Sequence, residues 1–181
     1  RKDGNTAILI RHLFSELEQE NIQTELVQLS EKVIHGCIAC YKCIEYRDRR
    51  CAVKNDAANE CIEKMLSADG IVLGSPVYFQ DVTPEMKALI DRCGYVARAN
   101  GRMFTRKVGA SIAAVRRSGV IHALDSMGHF FLSGEMVIVG RAFGVGREPG
   151  DVEKDVEGLR LVKSLGQRMA WLLKSIGSAA G

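Results

Sequence analysis

The chain predicts a doubly wound α/β domain, a parallel sheet with helices packed on both faces. Three observations lead there. Short, wholly apolar runs alternate with segments whose apolar residues recur at intervals of three and four. Those runs lack polar alternation, the mark of strands covered on both sides. The 181 residues, 46% apolar and 26% charged, make one globular domain's worth of chain. The whole chain, 1–181, is therefore read as a single domain.

The elements follow in order. Leu9, Ile10, Leu13, Phe14 and Leu17 form one face of a helix over residues 6–19, with Asn5 or Thr6 as its cap. Residues 24–29 read as a short strand. Residues 36–55 hold four cysteines, many charges and little periodicity, and read as a loop. A helix from Asp56 turns Cys61, Ile62, Met65 and Leu66 inward and stops at Asp69-Gly70. Strands are expected at 71–73, 108–115 and 136–139. Thr83-Pro84 opens a helix with a capping hydroxyl and a proline in the first turn. Its buried stripe is Met86, Leu89, Ile90 and Cys93. Further helices are expected over 120–132 and 151–176.

Charge and hydropathy exclude several partners. Twenty-five Lys and Arg against 22 Asp and Glu leave a formal +3, too small a surplus to point to nucleic acid or an anionic membrane. No apolar run approaches the roughly 20 residues of a membrane helix. No signal-peptide pattern is visible, so a cytoplasmic location is expected.

Four predicted strands are one short of the five that, in the order 2-1-3-4-5, make the flavodoxin-like sheet. The expected missing member is the first and central strand, upstream of Arg1. An open sheet of this kind binds ligands outside the carboxyl ends of its strands. Three segments fall at those ends. Arg1 to Thr6 opens a helix with backbone N–H groups, hydroxyls and a cation, a setting for phosphate that also fits an ordinary capped surface helix. Gly74-Ser75-Pro76-Val77-Tyr78-Phe79 follows a buried strand and offers a tight turn and two aromatic faces for a planar ring, or for packing. Arg116 and Arg117 close the next strand, placed for an anionic group or for solvent. His12, His35, His122 and His129 show no metal-ligand spacing.

Cys37, Cys40, Cys43 and Cys51 read C-x2-C-x2-C-x7-C. Disulfides are one reading of an even count, but no secretion signal accompanies them. Thiolates so closely spaced suit an iron–sulfur cluster or a metal ion. Cys61 and Cys93 lie in helical apolar patterns and read as small buried hydrophobes.

The R-K-D-G-N-T-A opening, the G-S-P-V-Y-F-Q-D-V-T-P-E-M-K-A-L-I-D-R block at 74–92 and the R-R-S-G turn at 116–119 resemble the FMN-reductase branch of the flavodoxin-like proteins. The G-V-G-R-E-P-G-D-V-E-K-D-V-E-G stretch at 144–158 is similar too. With its cysteine loop, the chain resembles the iron–sulfur flavoproteins. That resemblance implies an FMN whose phosphate is held by Arg1, Asn5 and Thr6. It implies that Pro76, Val77, Tyr78 and Phe79 line the ribityl chain and ring, and that Arg116, Ser118 and Gly119 meet the ring's far side. It implies a 4Fe–4S cluster on Cys37, Cys40, Cys43 and Cys51, and a homodimer or homotetramer. The expected function is electron transfer between a low-potential carrier such as ferredoxin and an acceptor. A second reading keeps FMN without a cluster, as an NAD(P)H-dependent FMN or quinone reductase. A third is a non-enzymatic protein with structural zinc on the four cysteines.

Overall fold

Strand β2 (Val108–Val115) is buried at every position, so both of its faces need cover. It lies between β1 (Gly70–Pro76) and β3 (Val137–Val145), parallel to both. The structure, a computed structural model, describes residues 1–179. Side chains alternate across β2, as the pleat requires. Val108, Ala110, Ile112 and Ala114 pack with Leu9 and Leu13 of α1 (Asn5–Gln19) and Val162, Leu165 and Met169 of α6 (Val156–Ala179). Ala113 joins the opposite core with Ile71, Leu73 and residues of α3 (Ala58–Ser67), α4 (Pro84–Ala99) and α5 (Val120–Ser133). The result is the expected three layers with parallel strands. A short helix, α2 (Lys42–Tyr46), sits within the cysteine loop. A single 3-10 turn, Asp151–Lys154, precedes α6, where the sequence predicted one continuous helix. No helix among the described residues is long and apolar enough to cross a membrane.

Two strands depart from the expectation. β3 runs on from the predicted 136–139 to Val145, past glycines that interrupted the apolar signal. It is also an edge strand, with Val137 and Ile138 exposed, rather than a buried one. Residues 24–29 form no strand at all. A strand exists only through its ladder partner, and an open slot separates this segment from β1. The slot and its continuation toward the carboxyl ends of the strands enclose about 1520 Å³. Ile22, Leu26, Val72, Phe14 and Leu173 are among its apolar walls.

Candidate functional site

The cleft at the carboxyl ends of the strands is built by three short connections. Gly4 caps α1 with its carbonyl, which accepts from the Ile8 N–H at 3.1 Å. No acidic residue stands in the first turn of α1, so the positive end of the helix dipole is left unneutralised. Gly74 lets this turn approach β1 closely: a Cβ there would stand 2.5 Å from Ile10 Cδ1 and 3.1 Å from Thr6 Cγ2. Arg1, Asn5, Thr6, Pro76, Val77, Tyr78 and Arg116 line the same cleft. Seven predicted residues thus come together, though with different duties. The Asn5 amide is committed to the chain: Nδ2 donates to the Glu148 carbonyl at 2.9 Å, and Oδ1 accepts from the Gly150 N–H at 2.8 Å. Asn5 therefore staples the 148–150 loop to the start of α1.

Beyond Pro76 the Val77 N–H donates to the Ala114 carbonyl at 2.9 Å, which carries the β ladder one residue past the strand. The chain then makes a two-residue turn closed by the bridge between Tyr78 and Asp81. Phe79 and Gln80 at its tip take φ of 44° and 79°, a left-handed pair that hairpin turns require and non-glycine residues resist. Phe79 is fully exposed, at 102%, and Tyr78 half so. Phe79, Ser118 and Gly119 lie outside the cleft lining, grouped around this turn. Gln80 Nε2 donates to Ser118 Oγ at 3.1 Å. Gly119 caps α5 at φ +85°, and a Cβ there would stand 2.6 Å from the Gln80 Cα. Gly119→Ala is therefore expected to cost about 1–3 kcal/mol and to displace the Tyr78 turn. Thermal melting and flavin titration of the variant check this, and unchanged values in both would contradict the close approach.

Several residues of the cleft escaped sequence reasoning. Gly146 and Arg147 line it too, and Arg147 adds a cation to Arg1 and Arg116. The Gly146 N–H donates to the Val115 carbonyl at 2.9 Å, which ties this loop to the end of β2. Asp81 anchors the aromatic turn, accepting from the Val82 N–H at 2.7 Å and Ser126 Oγ at 2.8 Å. His122 Nε2 stands 3.4 Å from its other oxygen. Burial pushes the Asp81 carboxyl up, but these bonds and His122 more than offset it and hold it low.

The cysteine loop is the second centre. All six cysteines are free thiols. Cys37, Cys40, Cys43 and Cys51 line one small, largely apolar cavity, whose lining also includes Arg92 and Tyr95 of α4. Ala39 and Tyr41, between the first three cysteines, take φ of 50° and 55°. Non-glycine residues held there are strained, and such strain gathers at binding sites. Burial pushes the Cys43 thiol up, and the neighbouring Cys51 and Cys40 add to this. Among the described residues, no three His, Cys, Asp or Glu are gathered tightly enough to hold a single metal ion. Cys61 and Cys93 are buried as the sequence predicted, and burial raises both thiols.

Cys51, separated from Cys43 by seven residues, is clamped by buried polar groups that the motif does not show. Asn59 of α3 accepts from the Cys51 N–H at 2.8 Å and donates to its carbonyl at 3.0 Å. Arg92 Nε donates to Cys51 Sγ at 3.3 Å. The same guanidinium donates to the Val53 carbonyl at 2.6 Å, the His35 carbonyl at 3.2 Å and the Asp56 carboxylate. The side chains of Arg92 and Asp56 are wholly buried. Burial pushes the Asp56 carboxyl up, and hydrogen bonds from Arg92, His35 and Ala58 more than offset it, so it stays below its ordinary range. Arg92 falls three residues after Leu89 on the buried stripe of α4. A cation on an apolar stripe was the available signal.

Known proteins resemble this chain in sequence and in fold. Residues 1–150 match the NADPH-dependent FMN reductase family. An iron–sulfur flavoprotein of Methanocaldococcus jannaschii is 36% identical over 186 residues, covering 97% of this chain and 94% of the relative. An iron–sulfur flavoprotein of Methanosarcina thermophila is 29% identical, covering 97% and 92%. Among solved structures, RosB with bound 8-demethyl-8-formylriboflavin-5'-phosphate superposes with a TM-score of 0.78 at 16% identity, over 96% of this chain and 73% of that one. An archaeal flavodoxin gives 0.59 at 16% identity, over 94% and 91%. The two structures speak for the fold and the sequence relatives for the lineage: the chain belongs to the iron–sulfur flavoprotein branch of the NADPH-dependent FMN reductase family, on a flavodoxin-like α/β fold.

Proposed function

We propose that the protein is an FMN-dependent redox protein that also carries a 4Fe–4S cluster on Cys37, Cys40, Cys43 and Cys51, and that it passes electrons between a low-potential carrier and an acceptor. The convergence of all four cysteines on one apolar cavity carries this reading. A cubane takes one thiolate for each iron, so it suits cysteines arranged around a cavity rather than drawn onto one point. The donor set of the cleft suits FMN: an unneutralised helix N-terminus with Arg1 and Thr6 for a phosphate, Tyr78 for a flat ring, and Arg116 for the ring's polar edge.

Bound FMN supplies one- and two-electron exchange, and a bound cluster supplies single electrons. The chain's own residues do the rest. Gly74 lets the α1 terminus lie close against β1 at the cleft, Gly4 caps that terminus, and Asn5 ties the 148–150 loop to it. Asp81 and Ser126 hold the turn that presents Tyr78 and Phe79. Asn59 and Arg92 hold the fourth cysteine in place.

Residues 36–55 contain five Lys and Arg against two Asp and Glu, which equals the whole chain's surplus of +3. A basic face suits an acidic one-electron carrier of the ferredoxin class; NAD(P)H is the other donor this family supports. A homodimer or homotetramer and a cytoplasmic location belong to the same reading. So does the sheet order 2-1-3-4-5, with the slot beside β1 as the central strand's place.

Anaerobic purification with FMN, iron and sulfide assays tests the proposal. Flavin bands with a broad iron–sulfur shoulder are expected. Flavin without iron would leave the plain reductase, and a colourless zinc protein would overturn both. Thr6→Val is expected to weaken FMN binding by about 1.5–3 kcal/mol, roughly tenfold or more, through loss of a hydrogen bond to a charged phosphate. Equal FMN affinity in parent and variant would remove Thr6 from the phosphate site.

A further inference from the structure

We propose that Arg92 is a positioning residue of the cysteine centre, fixing Cys51 Sγ and raising the reduction potential of the group the four cysteines hold. The inference rests on the cluster reading above and adds a residue that the cysteine motif does not contain. Four observations place Arg92 in this role. Its side chain is wholly buried, which is rare for arginine and demands full pairing. Its donors are divided among four acceptors, Cys51 Sγ, the Val53 and His35 carbonyls and the Asp56 carboxylate. Three of these acceptors lie on the chain that carries the cysteines, at His35, Cys51 and Val53, just before the first cysteine and at the last. Arg92 also lines the cavity itself, beside the four thiols.

The geometry has a redox consequence. An N–H donated to a ligating sulfur, carried by a cation, stabilises the more negative, reduced state of an iron–sulfur centre. Asp56 neutralises the guanidinium overall but does not touch the sulfur, so the positive end of the pair faces the cysteine. Lysine cannot reproduce the planar fork that reaches sulfur and two carbonyls together. A purely architectural arginine would hold the loop and leave the potential alone.

Two variants separate these roles. Arg92→Lys keeps the charge and loses the fork. Arg92→Met combined with Asp56→Asn removes both buried charges together, and so avoids leaving one unpaired if the lysine variant fails to fold. Parent and variants are purified anaerobically with FMN and reconstituted with iron and sulfide. Far-UV circular dichroism and FMN content confirm folding. The readouts are the midpoint potentials of cluster and flavin, by spectroscopic redox titration, and the rate of iron release to a chelator. The expected result is a lower cluster potential in both variants, with lysine intermediate, an unchanged flavin potential and several-fold faster iron release. Folded variants that keep the parent's cluster potential would overturn the role of Arg92 and leave the cluster reading standing. A parent that takes up no iron would overturn the cluster reading itself, and this inference with it.

Discussion

Cys51→Ala, made anaerobically beside its parent, is expected to lose or convert the cluster while FMN stays bound. The parent should take up about four irons per chain on reconstitution, one for each thiolate. Without Cys51 one corner of the cubane has no protein ligand, and two of the three remaining cysteines are exposed. Cys37 and Cys40 are exposed and Cys43 is half-buried, so solvent reaches what is left. The flavin cleft is lined by residues at the start of α1, in β1, in the β2–α5 turn and in the loop after β3, none of them from residues 36–55. FMN content should therefore stay at the parent's level. Iron, sulfide and flavin assays on the same samples read both halves. A parent that never binds about four irons would make the cysteine loop something other than a cluster site, and the flavin reductase reading would take over.

Asp56→Ala is expected to be the most destabilising of the substitutions considered. It strands the buried Arg92 guanidinium without its counter-charge, at a cost of about 3–5 kcal/mol. Against a total stability of roughly 5–15 kcal/mol, that is a large share. The Asp56→Asn, Arg92→Met pair should recover part of it, because the uncompensated charge is gone while the single amide oxygen accepts from one of the two N–H groups, His35 or Ala58, that bond separate oxygens of the carboxylate. Denaturant midpoints of the three proteins make the comparison. A cost below about 1 kcal/mol for Asp56→Ala, the range of a surface ion pair, would contradict the buried pair. The same carboxylate sets an acid limb. Its folded pKa is lowered, so its contribution is complete above the unfolded value of about 3.9 and disappears as pH falls through the folded value below that. The parent should lose stability across that acid window more steeply than a protein with Asn at position 56.

The strand–helix alternation, the parallel sheet and the two buried lone cysteines were legible because burial on both faces leaves a local mark: a run without polar residues, or an apolar stripe. The cysteine spacing and the block at 74–92 were legible for a different reason, since a tight turn or a ligand loop needs its residues close together in sequence. Residues 24–29 looked like a strand and form none, because a strand is a relation between two segments and alternation reports only one of them. β3 was read too short and too buried, because glycine lowers the apolar signal and edge position is a property of the sheet's order. Asn5 lines the cleft, yet its hydrogen bonds go to Glu148 and Gly150, more than 140 residues away. Arg92 and Asp56, 36 residues apart, form one buried pair only because α4 packs against the cysteine loop. Local pattern thus determined which segments are helix or apolar strand and which cysteines share a loop. Tertiary packing alone decided which polar side chains lost water, and a desolvated charge must find its partner wherever the fold brings one.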